Sequence, residues 1–351
     1  MTESGKIWNV LKKADVINGA TAMLRQFPLL ERRVTADAIA SCVESAWDQP
    51  PHPLVFLLWI AGSDSVGKDG ALQLLRTVEI FLALQEKGAH VISGAWQSRL
   101  NRILPGRSGG SFNNHYSNYQ SAIFELVLAC RLIAADVRIL ISGEHDTSVC
   151  DLGVLAGEDP MVAVEAYAPR KAAERWYRET VERPWMQLVA GQAEPATLTQ
   201  PEIKDITFDP DGAAKALARV LTDGNFQKQK AKQLSAGGAP TLLAVRGYGM
   251  TADDHHVFTL GPPLKIAEQM GAEAWSRLPS QCLGILLSFL GDVLKVEGRP
   301  SPAVFIPAPG RTLSRELWEY MRRADMLSND VLATEAELVG DTAGIATPGQ
   351  G

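Results

Sequence analysis

The chain has 351 residues, 46% of them hydrophobic and 21% charged, with a formal net charge of -6 and a sequence pI near 5.6. That balance excludes a protein that coats nucleic acid through bulk positive charge, and no apolar run reaches the ~18 residues of a membrane span. Four dispersed cysteines and six histidines form neither a CxxC pair nor an HExxH motif, so neither a disulfide framework nor a zinc centre is expected.

The first stretch, "MTESGKIWNVLKKADV", lacks an apolar signal core and reads as a soluble helix, which makes the cytoplasm the expected location. Helical spacing continues through "TADAIASCVESAW" to a break at "DQPPHP". The apolar run "LVFLLWIA" then leads into "GSDSVGKDG" and a long helix. Gly62, Gly67 and Lys68 match the P-loop pattern GxxxxGK[ST], but Asp69 stands where Ser or Thr would hold magnesium. The variant resembles the loop of polyphosphate kinases. A nucleotide-binding phosphotransferase is therefore one reading, against a Gly-rich turn between two helices. Basic clusters such as "RLNRILPGR" and "QKQKAKQ" read first as solvated helix faces.

The turn-rich loop "PGRSGGSFNN" marks a boundary, giving a helical N-terminal region over residues 1–114. A core follows over 115–250: the amphipathic helix "YQSAIFELVLACRLIAAD", the strand "VRILIS", a hairpin within 150–171, helices to about residue 236, and the buried strand "APTLLAVRG". Residues 251–337 form a smaller extension, and 338–351 a polar tail expected to be disordered. The fold class expected from this order is α/β, a mixed sheet flanked by helices.

The hairpin carries the chemistry. Folded about the turn at residues 157–160, it sets Asp151 opposite Glu165, with the two side chains on one sheet face at about 5.5 Å. Two like charges so placed destabilise the hairpin unless a cation sits between them, and a hard divalent ion suits oxygen ligands. A slip of one residue would send one carboxylate to the other face. Glu125, between Phe124 and Leu126 on the preceding helix, is a third candidate ligand or a support for one.

The succession of a helix with "FELVLA", the strand "VRILI", then "CDL", a hairpin and "VEAY" resembles the PD-(D/E)xK phosphodiesterase superfamily, whose fold is restriction-endonuclease-like. The resemblance covers roughly residues 115–250. It implies metal-dependent hydrolysis of a phosphodiester, with Mg²⁺ or Mn²⁺ held by Asp151, Glu165 and Glu125, and nucleic acid, DNA or RNA, as partner. The family's lysine falls at position 167, where this chain has Tyr167. Three accounts stand open: Arg170 or Lys171 supplies the charge, Lys232 reaches across with Gln233 contacting substrate or water, or the site has kept only binding. Tyr116 or Tyr119 could stack on a base and His115 touch a phosphate, though packing at the helix start is the plainer role for the tyrosines. A further alternative is a non-enzymatic assembly subunit, in which the long helix over 70–88 and the C-terminal third form an interface to a homo-oligomer or protein partner.

Overall fold

The computed structural model describes residues 11–45, 47, 49–65, 68–87, 91–92, 96–105, 116–141, 150–156, 159–169, 174, 177–192, 205–208, 210–236, 238–247, 257–260, 262–288 and 303–324. Helices α1 (Lys13–Leu24), α2 (Pro28–Glu31), α3 (Ala36–Glu44), α4 (Pro53–Gly62) and α5 (Lys68–Lys87) come first. Then come β1 (Val91–Ile92), α6 (Trp96–Ile103), α7 (Tyr116–Ala134), β2 (Ile139–Ile141), β3 (Leu152–Ala156) and β4 (Asp159–Tyr167). A π-helical turn over Arg178–Glu182 runs into α8 (Arg183–Val189), followed by β5 (Asp205–Phe208), α9 (Pro210–Thr222), α10 (Gly224–Ala236) and β6 (Thr241–Arg246). The last described elements are β7 (Val257–Leu260), α11 (Pro263–Trp275), β8 (Cys282–Ser288), β9 (Ala303–Pro307) and α12 (Arg315–Arg323).

Seven strands form one mixed sheet in the order β1-β2-β3-β4-β6-β8-β9, and β5 pairs with β7 in a separate two-stranded ladder. Strands β2, β3 and β4 form an antiparallel meander, whereas β4, β6 and β8 run parallel. All six residues of β6 are buried, as a central parallel strand requires. Its alternate residues serve two cores. Leu242 and Ala244 join the core under α1 to α7, while Leu243 and Val245 join the one under α9, α10 and α11. The chain is thus α/β, with helices on both faces of the sheet.

Strands β8 and β9, within the segment expected as an extension, widen this same sheet beyond β6. Their pairing depends on Gly284, where an added Cβ would lie 2.3 Å from the Ile306 carbonyl oxygen. Gly284→Ala is therefore expected to destabilise the fold by about 2–3 kcal/mol in chemical denaturation, the usual cost of forcing a close-packed backbone apart.

Two alternatives meet the fold here. The run before the Gly-rich segment is helix α4, with every residue from Pro53 to Ala61 buried, and not the strand that a phosphate-cradling loop follows. Gly62 has a packing role, because a Cβ there would press within 3.3 Å of the Gly19 carbonyl oxygen on α1. Lys68 opens α5, and Gly67 lies outside the described residues. Helices thus stand on both sides of the segment. The apolar face of α5 (Leu74, Leu75, Val78, Phe81) is spent on the core, and among its described side chains Ile80 is the exposed large apolar one. Among the described residues no helix is long and apolar enough to cross a membrane.

Candidate functional site

The hairpin register decides which residues meet. Ala156 pairs with Asp159, so a hairpin without irregularity would set Asp151 across from Val164. A β-bulge shifts the register between Val154 and Leu155: Leu155 faces Pro160, while Val154 faces Val162, leaving Met161 as the extra residue. Asp159 and Pro160 thus belong to β4 rather than to the turn. Beyond the bulge Leu152 faces Val164, and the next position brings Asp151 beside Glu165. The Asp151 N–H donates to Glu165 Oε2 at 3.3 Å, and the Ala166 N–H donates to Asp151 Oδ2 at 3.0 Å. The expected meeting of the two carboxylates occurs, through a one-residue irregularity in the strand.

The cation between them comes from α10. Phe226 and Leu234, both fully buried, lie one turn to either side of Lys230, so the core contacts of the helix aim that lysine at the sheet. Asp223 starts the helix, accepting from the Phe226 N–H at 3.3 Å. Lys230 Nζ then contacts Glu165 Oε1 and lies 3.5 Å from Asp151 Oδ2. At an effective dielectric of 20, an ammonium ~3.5 Å from a carboxylate attracts it by about 5 kcal/mol, and Lys230 reaches both. Its side chain is 19% exposed, more than any of the carboxylates it meets, so it marks where the centre opens to solvent.

Tyr167 packs edge-on against Phe226 at 5.3 Å between ring centroids, which seats the helix that brings Lys230. Burial, and then the Asp223 charge, push its phenol up to about 12, so it stays neutral. Its part is packing. Tyr167→Phe should leave unfolding free energy within about 0.5 kcal/mol of the parent, while Tyr167→Ala should cost about 2 kcal/mol by denaturant titration.

On the other side stands Arg99 of α6, 1% exposed. Its Nε donates to Glu125 Oε2 and its Nη2 to Asp151 Oδ1 at 3.1 Å. Glu125 projects from α7 in line with the buried Ala122 and Ala129, and is itself 3% exposed. Five charged groups thus share one buried centre: Arg99, Glu125, Asp151, Glu165 and Lys230.

Their protonation differs. Burial alone would push Asp151 up, but Lys230 and Arg99, with the Ala166 N–H, outweigh it and hold the carboxyl below its usual value. Glu165 is driven well above the usual carboxylate range by full burial and then by the charge of Asp151. Burial, then Asp151, raises Glu125 to about 7 against the pull of Arg99. Burial opposes the charge on Lys230, but the three carboxylates more than offset it and raise the ammonium above its ordinary value. Lys230 is accordingly a cation at neutral pH, not a base.

Lys232, the sequence candidate for this role, is exposed on the outer face of α10, about 200° around the helix from Lys230. Gln233 is half-buried, and its backbone carbonyl accepts from the Cys150 thiol at 3.7 Å, tying α10 to the residue before Asp151. Arg170, Lys171 and His115 lie outside the described residues, as does the side chain of Tyr116. Tyr119 is buried at the start of α7 against His52, the packing role expected of it. Sequence reasoning missed both Lys230 and Arg99. Each sits one turn from a buried apolar residue, Phe226 and Ile103 respectively, and that cation within an apolar stripe was the available signal.

Among the described residues no group of three or more His, Cys, Asp or Glu side chains is arranged to hold a metal ion. Asp151 and Glu165 are two oxygen donors on adjoining strands, while Glu125 is engaged by Arg99. Each of their oxygens already meets a protein donor: Asp151 Oδ1 the Arg99 guanidinium, Oδ2 the Ala166 N–H, Glu165 Oε1 the Lys230 ammonium and Oε2 the Asp151 N–H. Comparison with protein-family models, curated proteins and solved structures finds no match to this chain.

Proposed function

We propose that the chain is a divalent-metal-dependent phosphodiesterase of the PD-(D/E)xK type acting on nucleic acid, with Lys230 in the role the family gives to its strand lysine. The observation that carries this reading is the Lys230 ammonium set between Asp151 and Glu165, the two acids the motif requires, at a site where Tyr167 offers no charge. The element order also supports it: helix α7, the meander β2-β3-β4, intervening helices, then β6 parallel to β4.

In this reading Asp151 and Glu165 hold Mg²⁺ or Mn²⁺. The bound ion would supply a water of lowered pKa and charge neutralisation at the phosphate. The protein's own part is electrostatic. Asp151, kept ionised by Lys230 and Arg99, presents an oriented carboxylate. The Ala166 N–H and the paired strands fix it before substrate arrives. Lys230, held protonated, stabilises the negative charge that grows on the phosphate as water oxygen bonds to phosphorus and the ester bond breaks. Its raised pKa excludes it from abstracting the water's proton at neutral pH.

The test is cleavage of single- and double-stranded DNA and RNA with Mg²⁺ or Mn²⁺, beside an Asp151→Ala/Glu165→Ala variant shown to be folded by circular dichroism. Cutting by the parent alone is the expected result. Parent and variant that are equally inert, yet bind the same substrates equally, would overturn the hydrolytic reading and leave a nuclease-like binding protein.

A further inference from the structure

Resting on that hydrolytic reading, we infer that Glu125 is neither a metal ligand nor a contact of substrate but a positioning residue, which acts through Arg99 to fix the plane of the Asp151 carboxylate. Arg99 stands between the two acids. Its Nε donates to Glu125 Oε2 and its Nη2 to Asp151 Oδ1 at 3.1 Å. Glu125 belongs to α7 and Asp151 immediately precedes β3, so the guanidinium joins the helical layer to the sheet. Arg99 and Glu125 also lie deeper than the acid they serve: their side chains are 2% and 4% exposed, against 9% for Asp151.

Asp151 needs a hold at both oxygens. The last torsion of an aspartate side chain is broad and roughly two-fold, so one anchored oxygen does not fix its plane. The Ala166 N–H takes Oδ2 at 3.0 Å, and Lys230 lies 3.5 Å from the same oxygen. Arg99 takes Oδ1, and with Oδ2 anchored it stops the rotation. A guanidinium can pass on an orientation because it is a rigid, planar fork: with Nε held by Glu125, the direction of Nη2 is set. A lysine ammonium, free to turn on its stem, could not do this. The Glu125–Arg99 bond requires only an acceptor oxygen, which a protonated carboxyl or an amide also offers. It therefore does not depend on the charge that Glu125 carries.

Three variants test the relay. Glu125→Gln keeps an acceptor, Glu125→Leu keeps a side chain of similar size without one, and Arg99→Lys keeps the charge without the fork. In Mn²⁺-dependent cleavage, Glu125→Leu and Arg99→Lys should lower kcat by about 10²-fold, the loss that a small misplacement of a reacting group causes, with KM little changed. Glu125→Gln should stay within about threefold of the parent in both constants. Urea unfolding supplies a readout that needs no activity. Glu125→Leu and Asp151→Asn should be coupled, the unfolding constant of the double variant departing by about tenfold from the product of the single effects. That coupling should vanish when the same cycle is run in Arg99→Lys. A Glu125→Gln variant that loses kcat as far as Glu125→Leu, or a cycle that is additive with Arg99 in place, would overturn the inference. Should Glu125→Leu not fold, the Glu125→Gln kinetics decide. A folded parent that cuts nothing would instead defeat the hydrolytic reading, and the unfolding cycle would then decide the relay alone.

Discussion

Lys230→Met should reduce phosphodiester cleavage by about 10³-fold while Lys232→Met leaves it within a few fold, although the two lysines are two residues apart on α10. The size follows from removing one preorganised positive group from a water-poor centre, worth on the order of 10²–10³ in rate, and from the misalignment of Asp151 that accompanies it. The fold should register the change as well. Without the ammonium, Asp151 and Glu165 face one another uncompensated, and breaking a buried ion pair ordinarily costs about 3–5 kcal/mol. Glu165 softens the loss, because its pKa already stands well above normal and rises further, so that it takes up a proton. A carboxyl with a raised folded-state pKa binds its proton more tightly folded than unfolded. The variant should therefore come closest to parental stability near pH 5 and fall further behind as pH rises. Urea titrations of both proteins at pH 5, 7 and 8.5 check the trend. A constant difference would mean that Glu165 does not titrate in response to Lys230.

The two acids should separate function from stability. Under the proposed hydrolysis, Asp151→Asn and Glu165→Gln are both expected to lower cleavage by on the order of 10³-fold or more, since each alters an oxygen donor that would hold the metal. Their effects on folding differ in sign. The folded-state pKa of Asp151 is depressed, so its charge contributes stability that is present above its unfolded pKa of ~3.9 and lost as pH falls through the lower folded value. Asp151→Asn removes that contribution and strands Arg99 and Lys230, at about 3 kcal/mol at pH 7. Glu165 has the opposite shift, so parental stability declines as pH climbs from ~4.3 toward its raised value. Glu165→Gln keeps an acceptor for the Asp151 N–H and should flatten that decline. Calorimetry between pH 5 and 8 distinguishes them: a lower midpoint for Asp151→Asn throughout, and a shallower pH slope for Glu165→Gln.

How far the sequence discloses this centre depends on whether a residue acts through local pairing or through tertiary packing. Asp151 and Glu165 are legible because a hairpin is a local device. Even there the correct register comes from a bulge at Met161 that the letters do not announce. Lys230 is not legible in the same way. "QKQKAKQ" offers three lysines at alternating positions, and the inward one is known only once Phe226 and Leu234 are placed in the core. Arg99 lies in a basic run that reads as a solvated face, and only the packing of α6 against α7 turns it toward Glu125. The apolar run before Gly62 leaves strand and helix both open, because a helix buried on every side has no periodicity to display. Strands β8 and β9 extend the central sheet because pairing of distant segments leaves little local trace.

Chemical rescue tests most directly whether α10 delivers the cation that the strand lacks at Tyr167. Lys230→Cys should be inactive in the Mn²⁺-dependent cleavage assay. Treatment with bromoethylamine converts the introduced cysteine to thialysine, a lysine with sulfur in place of one methylene. Treated parent is the control for the native thiols of Cys42, Cys130, Cys150 and Cys282. Aminoethylation of the Lys230→Cys variant is expected to restore cleavage to within about tenfold of the parent. A Lys230→Cys protein that cuts as well as the parent before treatment, or a fully modified and folded protein that stays inert, would contradict that role for Lys230.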